Sequence, residues 1–243
     1  MRMRPLIVVL SAMIGSATFT EHAANACEPS QVPPHADLSE LELPKAGVTV
    51  RYAAHVSQVL DSAHPDASEL ERAGVFIERA LRSELLGKGR GHFLVDCDSG
   101  GSRDPQCTVL RDSEGQPEQL LSIPGLRFTF PGDGTIYAEG HINSMFNVHR
   151  KYEWKDGAFN EVPQPFLFVG LDSTALESFP LYLDAQFTQV IDRVQKGDTL
   201  SVLVNNHDDG YLIRTNDNVL GWAKIVPSGE HSSPIANLQY VGD

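Results

Sequence analysis

Asp96-Cys97-Asp98-Ser99-Gly100 is where a nucleophile would first be sought in this chain. A catalytic thiol reacts as its thiolate, so it needs a helix N-terminus or a nearby cation, and a His as base. Two carboxylates flank Cys97 instead, which opposes activation. The Gly-Gly-Ser-Arg-Asp-Pro that follows does not open an ordinary helix. Cys107 lies beyond this loop of Gly, Ser, Asp and Pro, so Cys97 and Cys107 read as a disulfide rather than as a catalytic site. Closing a loop of about ten residues would add about 2–3 kcal/mol.

Two patterns that could hold a metal meet similar objections. Asp96, Asp98, Gly101 and Asp104 offer oxygens, but an EF-hand counted from Asp96 has Gly100 at position five and Cys107 at position twelve. The stretch reads better as a solvated acidic turn. His141 and His149, an even number of residues apart, would face the same side of a strand. Zinc needs at least a third ligand there, from Glu139 or Glu153. Neither pattern carries a metal, and no cofactor is expected. The polar segment 139–150 reads instead as an interaction loop through His141, Asn143, Met145, Phe146 and His149. Tyr137, Tyr152, Trp154 and Phe159 would make an aromatic surface for glycan or cross-strand pairs of a core, and the second reading is preferred.

The chain's address comes from its first residues. Arg2 and Arg4 precede an apolar run from Pro5 to Phe19, and Ala24-Asn25-Ala26 follows. This is the charged region, short apolar region and small-residue cleavage site of a secretory signal over residues 1–26. The run is shorter than the roughly 20 residues of a membrane-spanning helix. Cleavage after Ala26 makes Cys27 the first residue of a periplasmic or secreted protein. Cys27 would then be free, paired with another chain, or lipidated as in an outer-membrane lipoprotein. The net charge is -13. Loss of Arg2, Arg4 and Glu21 makes it -14. With no basic cluster to offset it, this argues against nucleic acid.

The elements that would position these residues fall into segments. Residues 27–47 are rich in Pro and acid and read as an extended leader. Residues 68–86 predict a helix, because Leu70, Ala73, Gly74, Ile77, Leu81 and Leu85 recur at three- and four-residue spacing. Ser68 with Glu71 fits a capping box, and Gly87 fits a C-cap. Asp133-Gly134 and Asp156-Gly157 predict two hairpins with type I′ turns. The continuous apolar run Phe166–Gly170 predicts a fully buried strand. These elements make a helix-plus-antiparallel-sheet domain over 48–172. Five short strands at regular spacing then predict a small barrel over 180–226, followed by a polar tail, 227–243.

Residues 180–226 resemble a bacterial SH3-like (SH3b) domain. Leu181-Tyr182-Leu183, Val190-Ile191 and Lys196-Gly197-Asp198 carry the resemblance, with Tyr211-Leu212-Ile213-Arg214 and Gly221-Trp222-Ala223. The signature positions are Gly197, Asp198, Tyr211, Gly221 and Trp222. Asp184-Ala185-Gln186 stands where that family often has an Arg and a Pro-containing turn. Residues 107–170, through Asp133-Gly134-Thr135 and Gln164-Pro165-Phe166, resemble exported bacterial proteins without an assigned activity. The expectation is an α+β chain, mostly β, with an SH3-like β-barrel at its C-terminus. The resemblance implies a non-enzymatic envelope protein that binds peptidoglycan or an envelope protein. An inhibitor or immunity protein against an envelope-targeting toxin or lysozyme is one alternative. A cell-wall cysteine hydrolase is the other.

Overall fold

In chain order β1 (Ser39–Leu43) and β2 (Val48–Tyr52) form an antiparallel hairpin. A five-stranded meander follows: β3 (Ser57–Val59), β4 (Ile77–Ser83), β5 (Phe93–Asp98), β6 (Gln106–Arg111) and β7 (Glu118–Pro124). The chain then returns to the first sheet with β8 (Arg127–Phe130), β9 (Thr135–Gly140), β10 (Val148–Lys155) and β11 (Ala158–Glu161). That sheet runs β1-β2-β8-β9-β10-β11, and only β2 against β8 is parallel. The whole meander is therefore the crossover between two parallel neighbours.

A third sheet holds β12 (Leu167–Thr174), β13 (Phe179–Tyr182), β14 (Val190–Val194), β15 (Thr199–Asn205), β16 (Gly210–Thr215) and β17 (Leu220–Lys224). Its order is β12-β15-β16-β17-β13-β14.

This computed structural model describes residues 35, 37–60, 64–101, 104–113, 117–141, 143–226 and 233–241. The expected signal peptide (1–26) and Cys27 lie outside the described residues. The chain divides into two units, Met1–Ala36 and Asp37–Asp243, and the three sheets belong to the second. Among the described residues no helix is long and apolar enough to cross a membrane.

Two hydrophobic clusters hold the second unit together. The first two sheets share one core, with Val50, Phe128, Phe130 and Ile136 from one and Leu81, Val95, Val109 and Ile123 from the other, all fully buried. Trp154 meets Phe93 and Phe159 edge to face at its rim, the arrangement that ring quadrupoles favour. The second core lies on the inner face of the third sheet, where Leu181, Val202, Tyr211 and Ile213 are buried. Segments remote in sequence cover that face: Met145, Phe146 and Val148 from one side, Ile235 and Leu238 from the C-terminal tail.

The expected α+β class is overturned, because the protein is nearly all β. The helix predicted over 68–86 shrinks to α1 (Ala67–Arg72). It ends in a Schellman motif: Gly74 takes φ +83°, the Val75 N–H donates to the Leu70 carbonyl and the Gly74 N–H to that of Glu71. Asp66, not Ser68, occupies the N-cap and makes no side-chain capping bond. Beyond Gly74 the chain becomes β4. In β4 Ile77 shares a face with Arg79, whereas Leu81 lies on the opposite, core-facing side and Leu85 lies beyond the strand. A bulge between Arg79 and Leu81 then buries both Ala80 and Leu81, mimicking helical crowding.

The closed barrel is overturned as well. β12 and β14 are free edges of an open sheet, and β13 meets β17 through the single pair Tyr182↔Trp222. A barrel fills its interior from its own opposite wall. Here Phe146, Met145, Ile235 and Leu238 fill that space instead, so the sheet does not close on itself.

Other expectations divide. Asp156 (φ +55°) and Gly157 (φ +87°) make the predicted type I′ turn between β10 and β11. Between β8 and β9, however, Gly132 and Gly134 take the positive φ values and Asp133 does not, so that turn is not type I′. The run at Phe166–Gly170 opens an edge strand with one face bare, not a fully buried one. Ser39–Leu43, within the leader segment, pairs as β1.

Tyr211 is almost wholly buried, with Phe146 packed edge-on at 6.2 Å between ring centroids. Burial, aided by the charge of Asp209, pushes its phenol up to about 12. The neutral form is thus favoured in the folded state, and the stabilisation is complete below the unfolded value near 10. It is lost as pH rises from there to about 12, at a cost of about 3 kcal/mol. Denaturant titrations between about pH 9 and 12 should show this fall in stability, and Tyr211→Phe should flatten it.

Candidate binding face

The inner side of the third sheet is packed, so attention falls on its outer side. Successive strand residues point to opposite faces. Cross-strand pairing then places Phe168 beside Val204, Val204 beside Leu212, Leu212 beside Trp222, Trp222 beside Tyr182 and Tyr182 beside Val190. The result is a row of six apolar or aromatic side chains across all six strands, about 24 Å long at the usual strand spacing. Phe168 is 59% exposed and Val190 49% exposed. Phe166, 45% exposed, leans on Trp222 with ring centroids 5.7 Å apart.

Local structure holds the rings in place. Phe168 folds back over Gly170, whose added Cβ would meet the ring at 2.4 Å, and His149 flanks it at 6.3 Å. Phe187 stands against Tyr182 at 5.4 Å, with φ +57°. The turn carrying Phe187 is built on Asp184. Its carboxylate accepts the N–H groups of Gln186 and Thr188 and the Thr188 hydroxyl. The Thr188 hydroxyl bond and these N–H bonds hold that carboxyl below its usual range. The Asp-Ala-Gln turn, a departure from the SH3b pattern, thus has a local structural role.

One step along the strands the row gives way to a polar cleft of about 530 Å³. Asp172, Ser201 and Arg214 stand in register across it. Arg214 Nη2 donates to Ser201 Oγ at 3.0 Å, and that hydroxyl donates to Asp172 Oδ1 at 2.5 Å. On the other flank Lys224 pairs with Asp209 at 3.2 Å and lies over the Phe187 ring.

Among the anticipated site residues, Cys97 and Cys107 are directly opposed on β5 and β6 and joined as a disulfide. Met145 and Phe146 are buried in the second core rather than displayed by a loop. His141 Nε2 contacts the Gln239 carbonyl at 3.0 Å, and the Tyr240 hydroxyl donates to Asn143 Oδ1 at 3.3 Å. That segment therefore clasps the C-terminal tail, while His149 sits apart on the edge of the row. Gly197 (φ +91°) and Asp198 shape the turn before β15. An added Cβ on Gly221 would meet Leu181 Cβ at 2.7 Å, so glycine permits close packing of β17 on β13. Only Trp222 of the signature lies on the exposed face. Among the described residues no group of three or more His, Cys, Asp or Glu side chains is placed to hold a metal ion.

Sequence reasoning also missed what Asp96 does. Its buried carboxylate takes both arms of Arg79, each at 2.8 Å, and His64 Nε2 at 3.3 Å. His64 Nδ1 accepts the Asp66 N–H, which leaves the proton on Nε2 to face Asp96. Hydrogen bonding to Asp96 raises the Arg79 pKa above its ordinary value. Asp96 thus tethers the approach to α1. The exposed row was missed too, although its signal was present. Val202-Leu203-Val204, Tyr211-Leu212-Ile213 and Leu181-Tyr182-Leu183 are continuous apolar runs, whereas a sheet with one wet face should alternate.

No family model matches the chain, and neither the curated proteins nor the solved structures give a match.

Because the disulfide links two strands already in register, its loss should weaken the first core without changing the outer face of the third sheet. Reduction, or Cys97→Ser with Cys107→Ser, should cost about 2–3 kcal/mol. Calorimetry with and without reductant should show a Tm lower by about 4–12 °C.

Proposed function

We propose that this chain is an exported, non-enzymatic protein of the bacterial envelope that binds a cell-wall or protein ligand on the outer face of its third sheet. The observation that carries this reading is the row Phe168–Val204–Leu212–Trp222–Tyr182–Val190, exposed at its two ends and half-buried between them. Contiguous apolar surface left in water is costly and commonly marks an interaction site. The signal-peptide pattern of residues 1–26 and the SH3b resemblance of residues 180–226 support the envelope and the wall as its setting. Cys97 is tied to Cys107, which removes the thiolate that a cysteine hydrolase would need.

A second reading draws on the net charge of -13. An inhibitor or immunity protein facing a basic lysozyme or toxin would gain fast, salt-sensitive association from that field.

A pull-down on purified sacculi separates the two. The mature protein should sediment with sacculi, and Phe168→Ala, at an exposed position, should weaken retention about tenfold. Retention unchanged in Phe168→Ala, or no retention at all beside salt-sensitive inhibition of a basic lysozyme, would rule out wall binding through this face. Lysis of sacculi that disappears in Cys97→Ala would rule out the non-enzymatic reading.

A further inference from the structure

Resting on that reading of the face, we propose that its ligand is a polysaccharide strand. Its sugar rings would stack on the aromatic row, and its hydroxyl or amide substituents would enter the cleft around Asp172, Ser201 and Arg214. A pyranose ring has an apolar face of C–H groups and an edge crowded with hydrogen-bonding substituents. A site for it must offer flat apolar surface and, a few ångströms away, a dense set of donors and acceptors.

The third sheet offers both on one surface. Two pairs of rings, Phe166 with Trp222 and Phe187 with Tyr182, stand side by side because Trp222 and Tyr182 are directly paired. Aromatic faces carry partial negative charge that attracts polarised C–H groups. The cleft begins two residues along β16, from Leu212 to Arg214, about 7 Å away by strand geometry. Of the ten residues lining it, only Leu200 lacks a hydrogen-bonding side chain. The guanidinium contributes up to five donors in a fixed fork, and a carboxylate is an acceptor with several lone pairs. Arg214 and Asp172 are both held by Ser201, so neither has to be ordered when ligand arrives. Asn216 is fixed in the same way by the Thr199 hydroxyl at 2.7 Å.

Charge also selects the ligand class. Asp172 and Arg214 border the row on one side and Asp209 and Lys224 on the other, each carboxylate matched by a cation, and the Asp184 carboxylate is taken up by the hydrogen bonds of its own turn. The acidity of the chain as a whole is therefore muted along this row. A strongly charged peptide finds no complement there, whereas a neutral sugar needs none.

The test uses the full mature protein and three probes: intact sacculi, glycan strands stripped of peptide by an amidase, and free stem peptide. Trp154→Phe leaves Trp222 as the single indole reporter, since the chain has two Trp. Peptide-free strands should bind within a few-fold of intact sacculi and change the Trp222 emission. Phe166→Ala and Arg214→Ala should each weaken that binding about tenfold, and circular dichroism should show both variants folded. Binding to sacculi or stem peptide, with none to stripped strands, would overturn the polysaccharide assignment and leave envelope binding standing. Absence of binding to all three would remove both. Strand binding that neither variant weakens would overturn the placement on this face.

Discussion

Strand register is the constraint on which the rest of the structure depends. Side chains alternate with a period of two, so a slip of one residue exchanges the buried face of a strand for its wet face. In the third sheet three register shifts set that alternation. Val202 faces the core, and two places on, Val204 would ordinarily do the same. The bulge between them moves Val204 outward, opposite Leu212. A second irregularity, at Ile191 in β14, brings Val190 beside Tyr182 while Asp192 pairs with Leu181. A third, between Phe168 and Leu171 in β12, sets Phe168 opposite Val204, and the three together align the apolar side chains in one row.

The same sheet has apolar residues on both faces, and the two faces meet different fates. Inside, Tyr211, Ile213 and Val202 are covered by Phe146 and Met145 from the β9–β10 connection and by Ile235 and Leu238 from the tail. The polar parts of that connection, His141, Asn143 and Ser144, hold the tail in place through Gln239, Tyr240 and Val241. The loop expected to greet a partner is thus a clasp between the two halves of the unit. With the inner face closed from below, the outer row keeps only the partial cover of Phe166, Phe187 and His149.

Rigidity also bears on what kind of chemistry the protein performs. Among the described residues both cysteines, Cys97 and Cys107, are committed to the β5–β6 ladder, and the neighbouring Asp96 is committed to Arg79 and His64. A buried carboxylate with a bidentate guanidinium partner is a structural anchor whose charge is already matched. The groups left accessible on the third sheet are rings, hydroxyls, amides, the carboxylate of Asp172, the guanidinium groups of Arg193 and Arg214 and the ammonium of Lys224.

Much of the β-structure was legible locally. The Asp156-Gly157 turn, the strands around Phe93–Val95 and Cys107–Leu110, and the pairing of Cys97 with Cys107 follow from turn chemistry, apolar runs and loop length. These depend on neighbours a few residues apart. The apolar spacing over 68–86 imitates a helix because Gly74 ends α1 early and a bulge in β4 then buries the adjacent Ala80 and Leu81. Whether five regular strands close into a barrel, and which face of an apolar run stays wet, cannot be read from the runs themselves. Both were decided by Phe146, Ile235 and Leu238. These side chains are distant in the chain and reach the third sheet only once the tail is clasped, so tertiary packing alone chose its covered face.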